Sequence, residues 1–182
     1  MTLKLIIFTL LLFPTFDYSS SDLTFPNNVE KRINKRLDKF FDKDGYNKKT
    51  FQPNDSLSLK SNSYFYKVEN ASHTKKALMV ITIANGCRIG GCDVELEEGD
   101  EFEQFFLYTL FNEEGELIDI KILDYQSEYG YEVTSKWWLK QFTKKWGQYF
   151  EYSKNIDAVS GATVSVKSMI REMNLLQEVM KQ

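Results

Sequence analysis

The chain has 182 residues, 42% hydrophobic and 15% aromatic, with 23 Lys and Arg against 26 Asp and Glu for a formal net charge of −3. That is ample apolar material for one globular core and excludes a disordered chain. Three prolines and nine glycines exclude a collagen-like or proline-rich chain. Charges are mixed without a basic block, which argues against a nucleic-acid partner. One histidine, His73, and two cysteines are too few for a self-contained zinc or iron–sulfur site, so no metal is expected.

Met1 to Lys4 is a short positive start, and Leu5 to Phe13 is an uncharged apolar run of signal-peptide length, too short to span a bilayer comfortably. Residues 1–20 read as an export signal peptide, with Ser19 to Ser21 as small residues near the cleavage point; a buried N-terminal strand or helix is the alternative. No cysteine follows the run to accept a lipid anchor. Removing residues 1–20 takes one lysine and one aspartate, so the charge stays at −3. The expected location is periplasmic, or on the outer side of the cytoplasmic membrane.

After Pro26, Val29, Ile33, Leu37 and Phe40/Phe41 recur at helical spacing among Lys31, Arg32, Lys35, Arg36 and Lys39. This predicts an amphipathic helix whose basic face is solvated. Asp42 to Leu59, with Asp44-Gly45, Pro53 and Asn54-Asp55, has the composition of a loop. Tyr64–Val68 and Ala77–Ala84 are rich in β-branched and aromatic residues and read as strands. Phe105–Phe111 and Leu117–Leu123 flank Asn112–Glu116 as a hairpin. Lys136–Lys145 predicts a short helix carrying Trp137, Trp138, Leu139 and Phe142. Val166, Met169, Ile170, Met173, Leu176 and Met180 predict a C-terminal helix with a Met-rich inner face. The fold class is therefore α+β: an antiparallel sheet of at least four strands, packed by an N-terminal, a short middle and a C-terminal helix. Residues 21–60, the N-terminal helix and loop, form one globular unit with a domain over 61–182.

The stretch most suggestive of chemistry is Asn155 to Ser165, where the small-residue turn Ser160-Gly161-Ala162-Thr163 runs into the last helix. Gly161 permits a tight turn, Ala162 adds little bulk, and the first amides of a helix point outward at the positive end of its dipole, which suits a phosphate on the Thr163 hydroxyl. The plain alternative is that Ser160 or Thr163 caps the helix. No histidine lies nearby to make Thr163 a nucleophile, and no catalytic residue is assigned. Ser72-His-Thr-Lys75 matches S-x-x-K without its companion motifs, and Gly86–Gly91 is no phosphate-binding P-loop.

Asp157-x-x-Ser160-Gly161-Ala162-Thr163 resembles the D-x-x-[ST]-G-A-[ST] sequence at which flavin transferases attach FMN through a phosphoester bond. By it the chain is similar to the FMN-binding domain family, which includes the covalent-flavin subunits of the Rnf complex and of the sodium-pumping NADH:quinone oxidoreductase. The resemblance implies Thr163 as the attachment residue and Asp157, Ser160, Gly161 and Ala162 as the sequence a transferase recognises. Cys87-Arg-Ile-Gly-Gly-Cys92, Tyr125–Val133 and Ser135–Phe142 are similar to small exported members, so the likeness runs from about Tyr64 to the C-terminus. The E-T-P-G type loop of the large-complex subunits is replaced by Ser127-Glu128-Tyr129-Gly130, without proline.

Tyr125, Tyr129, Tyr131, Trp137 and Trp138 are either core or a stacking surface for a flavin, with Tyr129 and Tyr131 favoured for stacking by their loop positions. Lys136 and Lys140 belong either to a solvated helix face or beside a phosphate or reduced flavin. Cys87 and Cys92 read as a structural disulfide, a redox dithiol near the flavin, or two free thiols, in that order, since an exported chain with an even cysteine count favours pairing. The resemblance implies an exported electron carrier with covalent FMN, more a carrier than a stand-alone enzyme. Its implied partners are a flavin transferase using FAD and a membrane-bound or extracytoplasmic redox protein. The alternatives are a flavin-dependent thiol oxidoreductase using Cys87 and Cys92, a non-redox secreted binding module, and non-covalent FMN in the same pocket.

Overall fold

Apolar residues alternate along the strands between two sets, and each set meets a different helical layer. The computed structural model describes residues 24–42, 45–53, 62–88, 102–127 and 129–181. In chain order they form α1 (Asn27–Phe40), β1 (Tyr46–Phe51), β2 (Ser63–Asn70), β3 (Lys76–Arg88), β4 (Phe102–Phe111), β5 (Leu117–Ile122), a 3₁₀ turn (Tyr131–Thr134), α2 (Lys136–Lys144) and α3 (Thr163–Met180). The strands make one antiparallel sheet in the order β1-β2-β3-β4-β5, so every strand pairs with its sequence neighbour. The fold is α+β with three helices, as the sequence predicts.

Because successive side chains point to opposite faces, Phe65, Val80, Ala84, Phe105, Leu107 and Phe111 face α2 and α3, where they pack with Trp138, Phe142, Phe150, Met169 and Met173. Tyr66, Val68, Met79, Ile81, Tyr108 and Leu110 face α1 and receive Val29, Ile33 and Leu37. Each of those three α1 side chains is fully buried, an apolar transfer of about 2 kcal/mol apiece. Among the described residues, α1 has no side-chain N-cap, and the apolar stripe that attaches it to the sheet is joined by Arg36 donating to Asp119 and Tyr46 donating to Asn34.

The segment expected to be a loop from Asp42 to Leu59 contains β1, which pairs with β2 from Tyr46↔Asn70 to Phe51↔Phe65. Its sequence Tyr-Asn-Lys-Lys-Thr-Phe is too polar to announce a strand, because four of its six residues are exposed at the edge of the sheet. Asn112–Glu116 is the expected hairpin loop, closed by Asn112 N–H donating to Glu116 O at 3.1 Å. Ser135 caps α2 by accepting from Trp138 N–H at 3.2 Å. No helix of the described residues is long and apolar enough to cross a membrane. The expected export signal 1–20, Glu128 and Cys92 lie outside the described residues.

Candidate functional site

The site forms where two turns meet at the start of α3. Gly130 has φ +67°, and a Cβ placed on it would lie 2.2 Å from the Ala162 Cβ. Gly161 has φ +71°, and a Cβ there would lie 3.1 Å from the Tyr129 Cβ. Only glycine combines the left-handed conformation with so close an approach, so the Tyr129–Gly130 turn and the Ser160–Ala162 turn lock into one another.

Ala162 is the N-cap residue of α3 and offers no side-chain cap; neither Ser160 nor Thr163 supplies one. The capping role open to these two residues in the sequence is thus not the one the fold uses. Thr163 is the first helical residue, half-buried, and its hydroxyl has no hydrogen bond to the described residues. The first intrahelical bond is Val166 N–H donating to Ala162 O at 2.9 Å, which leaves the Thr163, Val164 and Ser165 amides without helical partners. A threonine hydroxyl, uncapped amides and the positive end of an 18-residue helix therefore converge on one spot.

The loop leading into the motif is held by α2 and α3. Trp138 Nε1–H donates to Asp157 O at 2.9 Å, and Asp157 N–H donates to Gln141 Oε1 at 3.0 Å. Phe150 is clamped from both sides, its N–H donating to Asn174 Oδ1 at 2.9 Å and its carbonyl accepting from Asn174 Nδ2 at 3.0 Å. Asp157 is fixed by its backbone while its carboxylate side chain remains at the surface, as does Ser160. Gly161 is half-exposed and Ala162 fully buried.

Tyr125 bridges the two turns: its hydroxyl donates to Tyr129 O at 3.2 Å and lies 3.1 Å from Ser165 Oγ. Burial pushes the Tyr125 phenol up from its ordinary range, against the opposing hydrogen bonds to Ser165 and Ser127, with the Glu103 and Glu132 charges adding to the rise. The end of β3 reaches the same place. The Cys87 sulfur lies 3.2 Å from Gly161 O, and Asn85 N–H donates to Ser168 Oγ at 3.0 Å. Glu103, beside Gly86 on the neighbouring strand, has a buried carboxylate oxygen with no hydrogen-bond partner among the described residues.

The aromatic residues divide. Trp138 is fully buried in the core, and Tyr125 packs edge-on against Phe105 with ring centroids 5.7 Å apart. Tyr129, Tyr131 and Trp137 are 63%, 65% and 69% exposed, so their rings are open to a ligand or partner. Lys136 and Lys140 stand exposed on α2. Sequence reasoning did not single out Gly130, Ser165 or Glu103. The signal for Gly130 was its place between two tyrosines in a segment of otherwise bulky residues; Ser165 and Glu103 carry none, since only the fold brings them to the turn.

Residues 103–176 match the sequence model of the FMN-binding domain, a span that starts in β4 and includes both turns and most of α3. No curated protein and no solved structure matches the chain.

Proposed function

We propose, from the premise that residues 103–176 belong to the FMN-binding domain family, that this flavin-binding chain is an exported electron carrier holding FMN by a phosphoester bond to Thr163. The observation that carries the reading is the free Thr163 hydroxyl at an uncapped helix start, within the matched segment. In loading, Thr163 Oγ1 attacks the phosphorus that bears the riboflavin half of FAD; the pyrophosphate bond breaks, AMP leaves, and the hydroxyl proton passes to the transferase. Asp157, Ser160, Gly161 and Ala162 present the threonine to that enzyme. Asp157 and Ser160 are exposed for contact, and the two glycine-bearing turns keep the backbone in place.

The bound isoalloxazine supplies one- and two-electron transfer. The chain supplies position and charge. The amides of Thr163, Val164 and Ser165, left without helical partners, would hold the phosphate, the α3 dipole would favour its negative charge, and the exposed rings of Tyr129 and Tyr131 offer flat surfaces beside the turn. A covalent link keeps the flavin on a protein that works outside the cytoplasm, where it meets a membrane-bound or extracytoplasmic redox partner. Cys87 and Cys92 close a short loop as a disulfide in this reading, for which chain entropy alone contributes on the order of 2 kcal/mol.

The test is co-expression with a flavin transferase, followed by intact mass and peptide mapping beside Thr163→Val. The expected result is an FMN-sized increase on the Thr163 peptide that survives acid precipitation and is lost in the variant. Flavin that stays in the acid supernatant means non-covalent binding, and a colourless protein means a non-redox binding module. The Cys87 contact with Gly161 favours one second reading, a thiol oxidoreductase in which the cysteine pair cycles against the flavin. Replacing both cysteines by serine abolishes turnover under that reading and leaves flavin redox cycling intact under the first.

A further inference from the structure

Helix α1 separates its charges by side. Glu30, Asn34 and Asp38, at i, i+4 and i+8, look toward β1. Lys48 Nζ donates to Glu30 Oε1 at 2.6 Å, Tyr46 OH donates to Asn34 Oδ1 at 3.0 Å, and the Asp38 charge is felt at Tyr46. Arg32, Lys35, Arg36 and Lys39 look the other way, toward β5, and with Lys121 they line a groove of about 400 Å³. Asp119 is the one carboxylate among the groove's lining residues, and it is already engaged: Arg36 Nε donates to Asp119 Oδ2 at 2.6 Å while the other guanidinium nitrogen holds Oδ1. Arg32 reaches across to the Leu123 carbonyl. Lys35 and Lys39 are exposed, with no ion pair among the described residues.

The groove is thus a concentrated positive field on a chain that is acidic overall. Lys121 reports it. Burial holds its ammonium below the usual lysine range, and the Arg36 and Arg32 charges lower it further despite the opposing Asp119. An anion in the groove relieves that repulsion.

We propose that this groove docks the protein on an anionic phospholipid surface. Its apolar lining residues, Ile122 and Leu123, are both buried, so it offers no pocket for the aromatic or aliphatic anchor on which specific protein interfaces depend. Long, hydrated lysine and arginine side chains need only a dense array of negative headgroups. This docking rests on the proposed function, which sets the chain to work outside the cytoplasm beside a membrane-bound partner, so an anionic bilayer face is within reach of the groove whether or not residues 1–20 are removed.

The test uses the full 182-residue chain in sedimentation with vesicles of phosphatidylglycerol in phosphatidylcholine, and with phosphatidylcholine alone. The apolar run contributes to both, so the difference isolates the charge-dependent part. Expected is tighter binding to the phosphatidylglycerol vesicles, lost at about 0.5 M salt, and weakened about a hundredfold by Lys35→Glu with Lys39→Glu. These two side chains hold no structural ion pair, and retained thermal unfolding checks that the pair of changes leaves the fold intact. A control with the same charge change elsewhere, Lys144→Glu with Lys181→Glu, binds as the parent does. Equal binding to both vesicle types overturns the proposal, as does a control that weakens equally, which reduces the effect to net charge. Millimolar inorganic phosphate releasing the protein at low ionic strength makes the groove an ion site, and tighter capture by poly-glutamate than by vesicles makes it a protein-docking surface; either result replaces the lipid.

Discussion

On the α3 face of the sheet two turns meet with a glycine on each side and no room for a methyl group between them, and a tyrosine hydroxyl, a serine and a cysteine sulfur all close on the same few backbone atoms. On the α1 face, helix and sheet meet through three aliphatic side chains over Tyr66, Met79 and Tyr108, with polar contacts such as Arg36 to Asp119 and Lys48 to Glu30 at its margins, and the Tyr108 hydroxyl is buried with no hydrogen-bond partner among the described residues. At the candidate site the first face is specified by backbone approach and hydrogen bonds, whereas the centre of the second is apolar contact with its polar pairs at the margins. Area tolerates imperfect polar matching so long as the transfer term is large; a site that must hold one hydroxyl at one place does not. The family match begins at residue 103 and leaves out α1, β1, β2 and β3, which supply three of the five strands, one of the two helical layers and the Asn85 and Cys87 contacts at the candidate site.

The strongest way to sharpen this contrast is Gly130→Ala. The added methyl meets Ala162 and the left-handed backbone disfavours any side chain, so unfolding in denaturant should show a loss of about 4 kcal/mol, with flavin attachment lost alongside. Next is Leu37→Ala on α1, expected to cost about 3 kcal/mol while leaving attachment stoichiometry unchanged at a temperature where the protein remains folded. Attachment that falls with Leu37→Ala in the folded protein would mean that the two faces are coupled, and the contrast would break. The smallest effect belongs to Tyr108→Phe, which removes the unpartnered hydroxyl and should raise stability by up to about 1 kcal/mol at neutral pH. The same variant has an alkaline signature. Burial raises the Tyr108 phenol far above its ordinary range and pushes Tyr46 up to about 12, so the unfolded chain, titrating near 10, ionises first. Stability present below about pH 10 should therefore fall as pH rises, and Tyr108→Phe should flatten that fall, leaving the Tyr46 share, which ends by about pH 12.

What the sequence makes legible follows from how each element is stabilised. The central strands and both long helices bury continuous apolar patterns, so Ala77–Ala84, Val29–Leu37 and Val166–Met180 announce themselves. β1 does not, because an edge strand with one half-buried residue at each end carries no periodicity to read. At the candidate site, the Asp157–Thr163 motif is legible because it is contiguous. The partners that complete the turn come from β3, from the segment after β5 and from α3, and they are joined by hydrogen bonds spanning up to 83 residues of sequence. Trp138 and Trp137 are adjacent and chemically identical, yet one is core and the other 69% exposed. A helix of nine residues resting on a sheet decides between them by rotation alone.

The polar character that hides β1 has a consequence for the protein in company. Its outer edge pairs with no other described strand, and open backbone donors and acceptors at a sheet edge are a template on which a second chain can stack. Here the middle of that edge carries Lys48 and Lys49, one toward each side of the sheet. Two copies aligned edge to edge would bring the Lys49 ammonium groups together on one surface of the joined sheet, while Lys48 on the other is already paired with Glu30. Like charges would then oppose the contact that the bare backbone invites, so crowding at a surface need not lead to aggregation. The other edge, β5, is protected differently: α2 and the 3₁₀ turn lie against it, and Lys121 Nζ is tied to Thr134 O at 2.5 Å.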